Sequence, residues 1–559
     1  MQKLWAKDPS LWTGTDEGNW LGWLNIATDQ LDHISTLEQA GHAIAQAGFT
    51  HILLLGMGGS SLCSEVFTHT FSTKEGTPQF HVLDSTDPTQ IAAVEAAIDL
   101  THTKVIVASK SGTTLEPTIL KQYFFDRIKQ LVNPNTVGTH FIAITDPGSK
   151  METIAKQNQF DAIFYGIPSI GGRYSALSNF GIIPASSIGM DIHKLLTYAK
   201  TMGDQCGASI TPKRNPGVIL GTVIGVCANE GRDKLTIITS PALRSFGGWV
   251  EQLLAESTGK GGKGIIPIDL EQCGPPDVYG DDRLFIYITL ATEKNAPQDA
   301  SINKLHDAGH PVVHIPLTNR YELGSEMFRW EIATAVTGAI LNINPFNQPD
   351  VEASKIASLS LTTEYEKTGS LPPEIPRLEE AGIQIFSDDR NAKSLNNIME
   401  NDKTLLGYLK AHLSTLREGD YFALLAYIHK TETHHIPLDT IRHLVRNTKK
   451  VATCLEYGPR FLHSTGQLYK GGPNSGVFVQ ITCDDAADIQ IPGRAYTFGV
   501  VKAAQARGDF QVLSERGRRA LRLHLGTNVP AGLSILQQTI KEALHVSQRH
   551  IISQHDTTA

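Results

Sequence analysis

The sequence has no paired cysteines at metal-binding or redox spacing. Its six cysteines, at 63, 206, 227, 273, 454 and 483, are scattered along 559 residues with no C-x-x-C among them. That argues against a disulfide framework, suggests no zinc site, and predicts a reduced, cytoplasmic setting. Long apolar runs are missing too. None approaches the length that spans a bilayer, so no membrane is expected among its partners. The opening MQKLWAKDPSLW lacks the apolar core of a signal peptide. Charge of one sign is scarce: a formal net charge of −8 over this length is mild, and it argues against a nucleic-acid surface. Low-complexity tracts and short-period repeats are absent. Apolar content of 41% suffices for sizeable cores, and the length implies several domains.

What is present centres on His51–Ser61, which reads HILLLGMGGSS. Four consecutive apolar residues run into glycines at 56, 58 and 59. The pattern predicts a buried parallel strand ending in a turn whose backbone can approach a ligand closely. A helix opening near Ser60 would aim free N–H groups and its positive dipole end at the gap, which suits a phosphate. An ordinary strand-to-helix turn would use the same glycines. The dinucleotide fingerprint G-x-G-x-x-G is only partly met, because Ser61 stands at its third glycine; Asp84 ends a second apolar strand where a ribose-binding acid could sit.

Apolar runs at 52–55, 80–83, 105–108, 141–144 and 162–165 alternate with helical stretches. They predict a doubly wound α/β domain with a parallel sheet. The third of these strands runs into Ser109-Lys110-Ser111-Gly112-Thr113-Thr114. Four hydroxyls and a glycine before a helix offer the directed donors that phosphate capture needs, although a hydroxyl-rich N-cap has the same composition. Residues 214 to about 345 repeat the alternation, with strands expected at 235–239, 265–268, 284–290 and 311–315 and a long apolar helix at 322–343. Farther on, strands are expected at 421–428, 476–482 and 520–525, helices at 438–455 and from about Ala531, and a boundary at Ser370–Pro376. Trp5, Trp12, Trp20 and Trp23 mark residues 1–50 as a cap, and Ser35 with Glu38 reads as a capping box for a helix over 36–47.

The two glycine and hydroxyl loops resemble the first half of a sugar isomerase (SIS) domain. Gly171-Gly172-Arg173-Tyr174-Ser175, the run Glu251–Lys260 (EQLLAESTGK) and the run Asn344–Lys355 (NPFNQPDVEASK) resemble, in family order, three motifs of glucose-6-phosphate (phosphoglucose) isomerases. Asp350 replaces a usual glycine in the last. His463-Ser464-Thr465-Gly466-Gln467 resembles the family's histidine segment, but here it follows the glutamate and lysine motifs instead of lying between them. The LWAKDPSLW and HSTGQLYKGG stretches also look like the isomerase half of fused transaldolase–isomerase proteins.

The resemblance implies two doubly wound SIS domains with mainly parallel sheets plus an α/β C-terminal extension. Residues 1–50 would be the cap, 51–205 the first SIS domain, 206–360 the second, and 361–559 an α/β region completing the second. It further implies interconversion of glucose 6-phosphate and fructose 6-phosphate through a cis-enediol, with no metal and no cofactor. Glu256 matches the base that carries a proton between adjacent carbons. Arg173 matches the guanidinium that stabilises the developing negative charge. His463 and Lys355 would share ring opening. Gly59, Ser60, Ser109, Lys110, Ser111, Thr114 and Gly172 would line the substrate site, with hydroxyls on the phosphate. Gln252 and Gln348 match contacts to sugar hydroxyls. A homodimer is expected by resemblance, the histidine coming from either subunit.

Duller readings exist for each residue. Glu256 and Lys260 at i, i+4 could form a surface ion pair; Arg173 and His463 could be structural, and Lys355 an exposed helical lysine. Three other functions share some of the evidence: a non-catalytic sugar-phosphate sensor, a nicotinamide-dependent dehydrogenase, and an isomerase that also takes mannose 6-phosphate.

Overall fold

Every one of the expected apolar runs becomes a strand in the computed structural model, which describes residues 1–71 and 76–544. The first sheet comprises β1 (His51–Leu55), β2 (Gln79–Leu83), β3 (Thr103–Ala108), β4 (Phe141–Thr145) and β5 (Ala162–Tyr165). All its strands are parallel, in the order β2-β1-β3-β4-β5. Helices on both faces bury the central strands, which is why Ile52–Leu55 and Val105–Ala108 are apolar without alternation. The second sheet is also parallel: β6 (Lys234–Thr239), β7 (Ile266–Ile268), β8 (Arg283–Leu290) and β9 (Val312–Leu317), in the order β7-β6-β8-β9.

The third sheet holds β10 (Leu378–Glu380), β11 (Ile383–Phe386), β12 (Tyr421–Tyr427), β13 (Ala452–Tyr457), β14 (Gly476–Thr482) and β15 (Arg519–His524). Their order is β10-β11-β15-β14-β12-β13, parallel from β15 to β13 with an antiparallel hairpin at the other edge. The C-terminal region thus has a sheet of its own. It meets the second sheet where β13 lies beside β7: Ile266 and Ile268 share an apolar cluster with Ala423, Leu425 and Cys454. Residues 545–559 of that region lie outside the described residues.

Two local expectations need correction. The stretch 438–455 is not one helix: the helix Glu432–Lys449 stops at Lys450, whose φ of 57° is left-handed, and the chain then extends into β13. Ser35 caps nothing, because the helix Ile34–Gln46 already contains it and His33 takes the N-cap position.

Two of the N-terminal tryptophans, Trp23 and Trp12, pack against Tyr174 and Phe346. Trp23 is buried and stacks on Tyr174 with ring centroids 5.2 Å apart. Trp12 meets Phe346 edge-on at 5.1 Å and donates its indole N–H to the carbonyl of Ala335 at 2.8 Å. The cap therefore braces Tyr174, the neighbour of Arg173, and Asn344 and Phe346 of the 344–350 loop.

Candidate active site

Strand order in the first sheet reverses between β1 and β3, since β1 leads to β2 on one side and β3 to β4 on the other. Open α/β sheets leave a crevice at such a reversal, beyond the carboxyl ends of the strands. Both predicted loops stand there. Gly58 has a φ of 54°, and a Cβ on it would lie 2.8 Å from the carbonyl oxygen of His463. On Gly59 a Cβ would lie 2.0 Å from the carbonyl oxygen of Gly172. Only glycine lets three separate segments, 58–60, 171–173 and 463, converge.

The second loop ends at Thr114, the N-cap of the helix Leu115–Leu131, whose side chain makes no capping bond. Ser60 is half-buried, and neither its hydroxyl nor that of Thr114 hydrogen-bonds within the described residues. Ser109 accepts from the Gly112 N–H at 3.2 Å, leaving its own proton to donate. Ser111 pairs with Thr113 at 2.8 Å on the exposed side. Lys110 does not join this set. Its ammonium is paired with Asp146 and directed to the carbonyls of Ile167 and Pro168, so the loop's donors are neutral hydroxyls and backbone N–H groups.

Glu256 lies in the last turn of the helix Phe246–Thr258, with its carboxylate 3.2 Å from Arg173 Nη1. It is not paired with Lys260. That lysine is buried and donates to the carbonyls of Ser257 and Asn344 at 3.0 and 2.5 Å, and burial together with the nearby Arg173 charge holds it well below its ordinary pKa. Arg173 is 3% exposed. It donates from Nε to Ser257 at 2.7 Å, from Nη2 to the carbonyls of Pro345 and Asn347 at 2.8 and 3.0 Å, and from Nη1 to Gln348 at 3.1 Å. A guanidinium held at this many points cannot swing away from the glutamate. Gln252, one turn before Glu256, donates to its carboxylate at 3.1 Å and to the carbonyl of His463 at 2.8 Å.

His463 sits at the end of a short helical turn after β13, and its Nε2 is 3.1 Å from the Glu116 carboxylate. Glu116, in the first turn of the helix beyond the hydroxyl loop, escaped the sequence reading. Its only signal was an acid beside Ser109–Thr114, and its partner is 347 positions away. Burial, the largest influence, raises its pKa, but the charge and hydrogen bond of His463, its own helix N–H and the charge of Lys355 together hold it below the ordinary value. Gln505 donates to the same carboxylate at 2.7 Å and accepts from Thr86 at 2.7 Å.

Lys355 lies on the outer face of the helix Val351–Thr368, half exposed, 3.5 Å from Glu352. Its charge is felt at Glu116, but it forms no hydrogen bond to Glu256 or His463. The unusual Asp350 holds that helix in place: its N–H and that of Val351 donate to Gln467 at 2.9 and 3.2 Å, and its carboxylate takes Arg516 at 2.7 Å.

These features match known proteins. A model of the family described as phosphoglucose isomerase matches residues 21–266. A probable glucose-6-phosphate isomerase of Methanococcus maripaludis is 30% identical over 381 residues, covering 61% of this chain and 84% of that protein. The chain belongs to the phosphoglucose isomerase family. A glucose-6-phosphate isomerase of Enterococcus faecalis is 27% identical over 401 residues, covering 63% of this chain and 89% of its own length. The crystal structure of a hypothetical protein from Thermus thermophilus shares the fold, with a TM-score of 0.57 at 22% identity over 64% of this chain and 92% of that one.

In this member of the phosphoglucose isomerase family a cavity of about 810 Å³ is lined by Leu62, Gly248, Glu251, Arg460 and Ser464. Glu251, Asp269 and Glu456 meet at its wall. Burial raises Asp269 to about 6 and Glu456 to about 7, and Glu251, buried and facing Glu456, is pushed well above the usual carboxylate range. Asp84, the candidate ribose acid, is buried and engaged by Arg460 Nε at 3.3 Å. Among the described residues no helix is long and apolar enough to cross a membrane.

Proposed function

We propose that this chain interconverts glucose 6-phosphate and fructose 6-phosphate, with Glu256 moving the proton between C2 and C1. The observation that carries this reading is the single carboxylate of Glu256 set against a fully anchored Arg173, 3.2 Å away, beside the two phosphate-type loops. Glu256 lifts the proton from the carbon next to the carbonyl. Arg173 faces the oxygen on which negative charge then builds, giving the enediol a fixed counter-charge without reorganisation. Glu256 returns the proton to the neighbouring carbon. One base serves both steps because the two carbons are adjacent.

Ring opening precedes this. The Glu116 carboxylate holds one ring nitrogen of His463 and so fixes the orientation in which the imidazole passes a proton to the ring oxygen. The hydroxyls of Ser60, Ser109, Ser111 and Thr114 and the amino end of the helix Leu115–Leu131 hold the phosphate. Gly59 and Gly172 admit the substrate backbone-close, and Gln252 and Gln348 meet sugar hydroxyls. Anchoring the far end of the substrate orients the reacting carbons and so acts on rate as much as on affinity. Lys355 contributes long-range positive charge. A base, its counter-charge and an acid–imidazole pair exceed what a sensor would need. A cytoplasmic homodimer and kinship with transaldolase fusions accord with the same reading.

The test is a coupled assay of fructose 6-phosphate conversion with and without a chelator. Turnover unchanged by the chelator is expected; no turnover at millimolar substrate would overturn the proposal.

A further inference from the structure

The third sheet has its own reversal of strand order, between β12 and β14: the chain leaves β12 toward β13 and leaves β14 toward β15. The same topological rule that locates the isomerase site predicts a second crevice there. An opening of about 310 Å³ occupies it, and its wall includes Thr482, Cys483, Lys502, Ala503, Arg507 and Arg522. None of these residues serves the reaction derived above.

Charge in the crevice is unevenly matched. Arg522 Nη2 donates to Glu374 Oε2 at 2.7 Å, while Arg507 Nε is ion-paired with the same oxygen at 2.7 Å and its Nη1 donates to the carbonyl of Pro372 at 2.7 Å. Two guanidiniums therefore share one carboxylate. Arg522 Nη1 is buried with no hydrogen-bond partner among the described residues, on a side chain only 4% exposed. A buried, charged donor without an acceptor is costly. The Arg522 guanidinium is also fixed in plane, with Phe386 and Phe510 ring centroids 4.2 and 5.4 Å from its central carbon. Lys502 is already committed to Asp87 and Asp485, and His524 to Asp484 at 3.2 Å. The surplus is confined to the arginine end. Planar N–H forks of this kind match oxyanions.

We propose that this crevice is a second oxyanion site, binding the phosphate or carboxylate of a small metabolite through Arg522 and Arg507. It lies across the helix Phe498–Glu515 from Glu116, which Gln505 of the same helix contacts.

Calorimetric titration of the full chain with inorganic phosphate, and separately with succinate, tests this. Phosphate should fill two sites: Ser109→Ala with Thr114→Ala weakens one, and Arg522→Gln weakens the other roughly ten- to hundredfold. Because Arg522 is buried, Ala503→Glu serves as the second variant. It places a carboxylate on a half-buried part of the wall and should abolish the same site without lowering the melting temperature. Loss of phosphate binding in these variants assigns the site to phosphates, and loss of succinate binding assigns it to carboxylates. If neither anion responds to Ala503→Glu, and phosphate shows one site that the Ser109/Thr114 pair removes, the proposal is wrong.

Discussion

The imidazole Nε2 of His463 and the carboxylate of Glu116 stand 3.1 Å apart, although 347 residues separate them in the chain. One comes from the third sheet and the other from the helix that follows the first sheet's hydroxyl loop. Their contact gives His463 a defined orientation in spite of its displaced position in the order of motifs.

If the pair opens the sugar ring, Glu116→Gln should lower kcat on cyclic glucose 6-phosphate by roughly ten- to hundredfold. His463→Ala should cost at least as much, and the double variant little more than the worse single. Open-chain substrate should be far less affected. Equal losses on both substrate forms, measured by stopped-flow, would count against the assignment.

Glu256→Gln keeps the shape and the contact with Gln252 but removes the base. Turnover should fall by roughly 10²–10⁴-fold. Calorimetric affinity for fructose 6-phosphate should stay within a few-fold of the parent, since Arg173 keeps its four other contacts.

Gly59→Ala would drive a methyl into the Gly172 carbonyl, 2.0 Å from the ideal Cβ position. Neither neighbour is a flexible side-chain tip, so the two loops must part. A stability loss on the order of 2–4 kcal/mol is expected, with turnover falling more steeply than the thermal midpoint suggests. Unchanged activity would show that the loop contact does not set the site.

Glu456 has a pKa raised to about 7 by burial. The folded protein holds its proton where the unfolded chain has lost it. This group's contribution is therefore fully present below the ordinary carboxylate pKa and disappears as pH rises through 7. Between pH 5 and pH 8, Glu456→Gln should gain stability over the parent, by on the order of a few kcal/mol at most, read as a widening gap in melting temperature. A pH-independent difference between the two proteins would contradict the buried-acid reading.

The strands were legible because central parallel strands are buried on both faces and so appear as unbroken apolar runs. β13 was hidden by its neighbour: the apolar residues of the helix Glu432–Lys449 continue in rhythm into Val451–Leu455, and only backbone geometry at Lys450 marks the break. β10 carries the charged, exposed Glu379 and Glu380, and β11 alternates buried Ile383 and Ile385 with half-buried positions over only four residues, so the hairpin left no unbroken apolar run. At the site, Glu256, Arg173, Gln252, Gln348 and His463 were found by motif, and the structure brings them together. Glu116 could not be found that way, because what distinguishes it is a partner in a distant domain. Lys110 shows what a motif leaves out about a side chain's partners. Its position beside the hydroxyls of the loop is visible in the sequence, but its pairing with Asp146, just after β4, is not.

Glu116, Arg173, Glu256 and His463 span the chain from its first quarter to its last, with each needing a neighbour supplied by another. On the ribosome the contact between Glu116 and His463 cannot form until residue 463 has emerged. A cut anywhere between residues 116 and 463 puts Glu116 and His463 on different fragments, so neither fragment alone holds that pair.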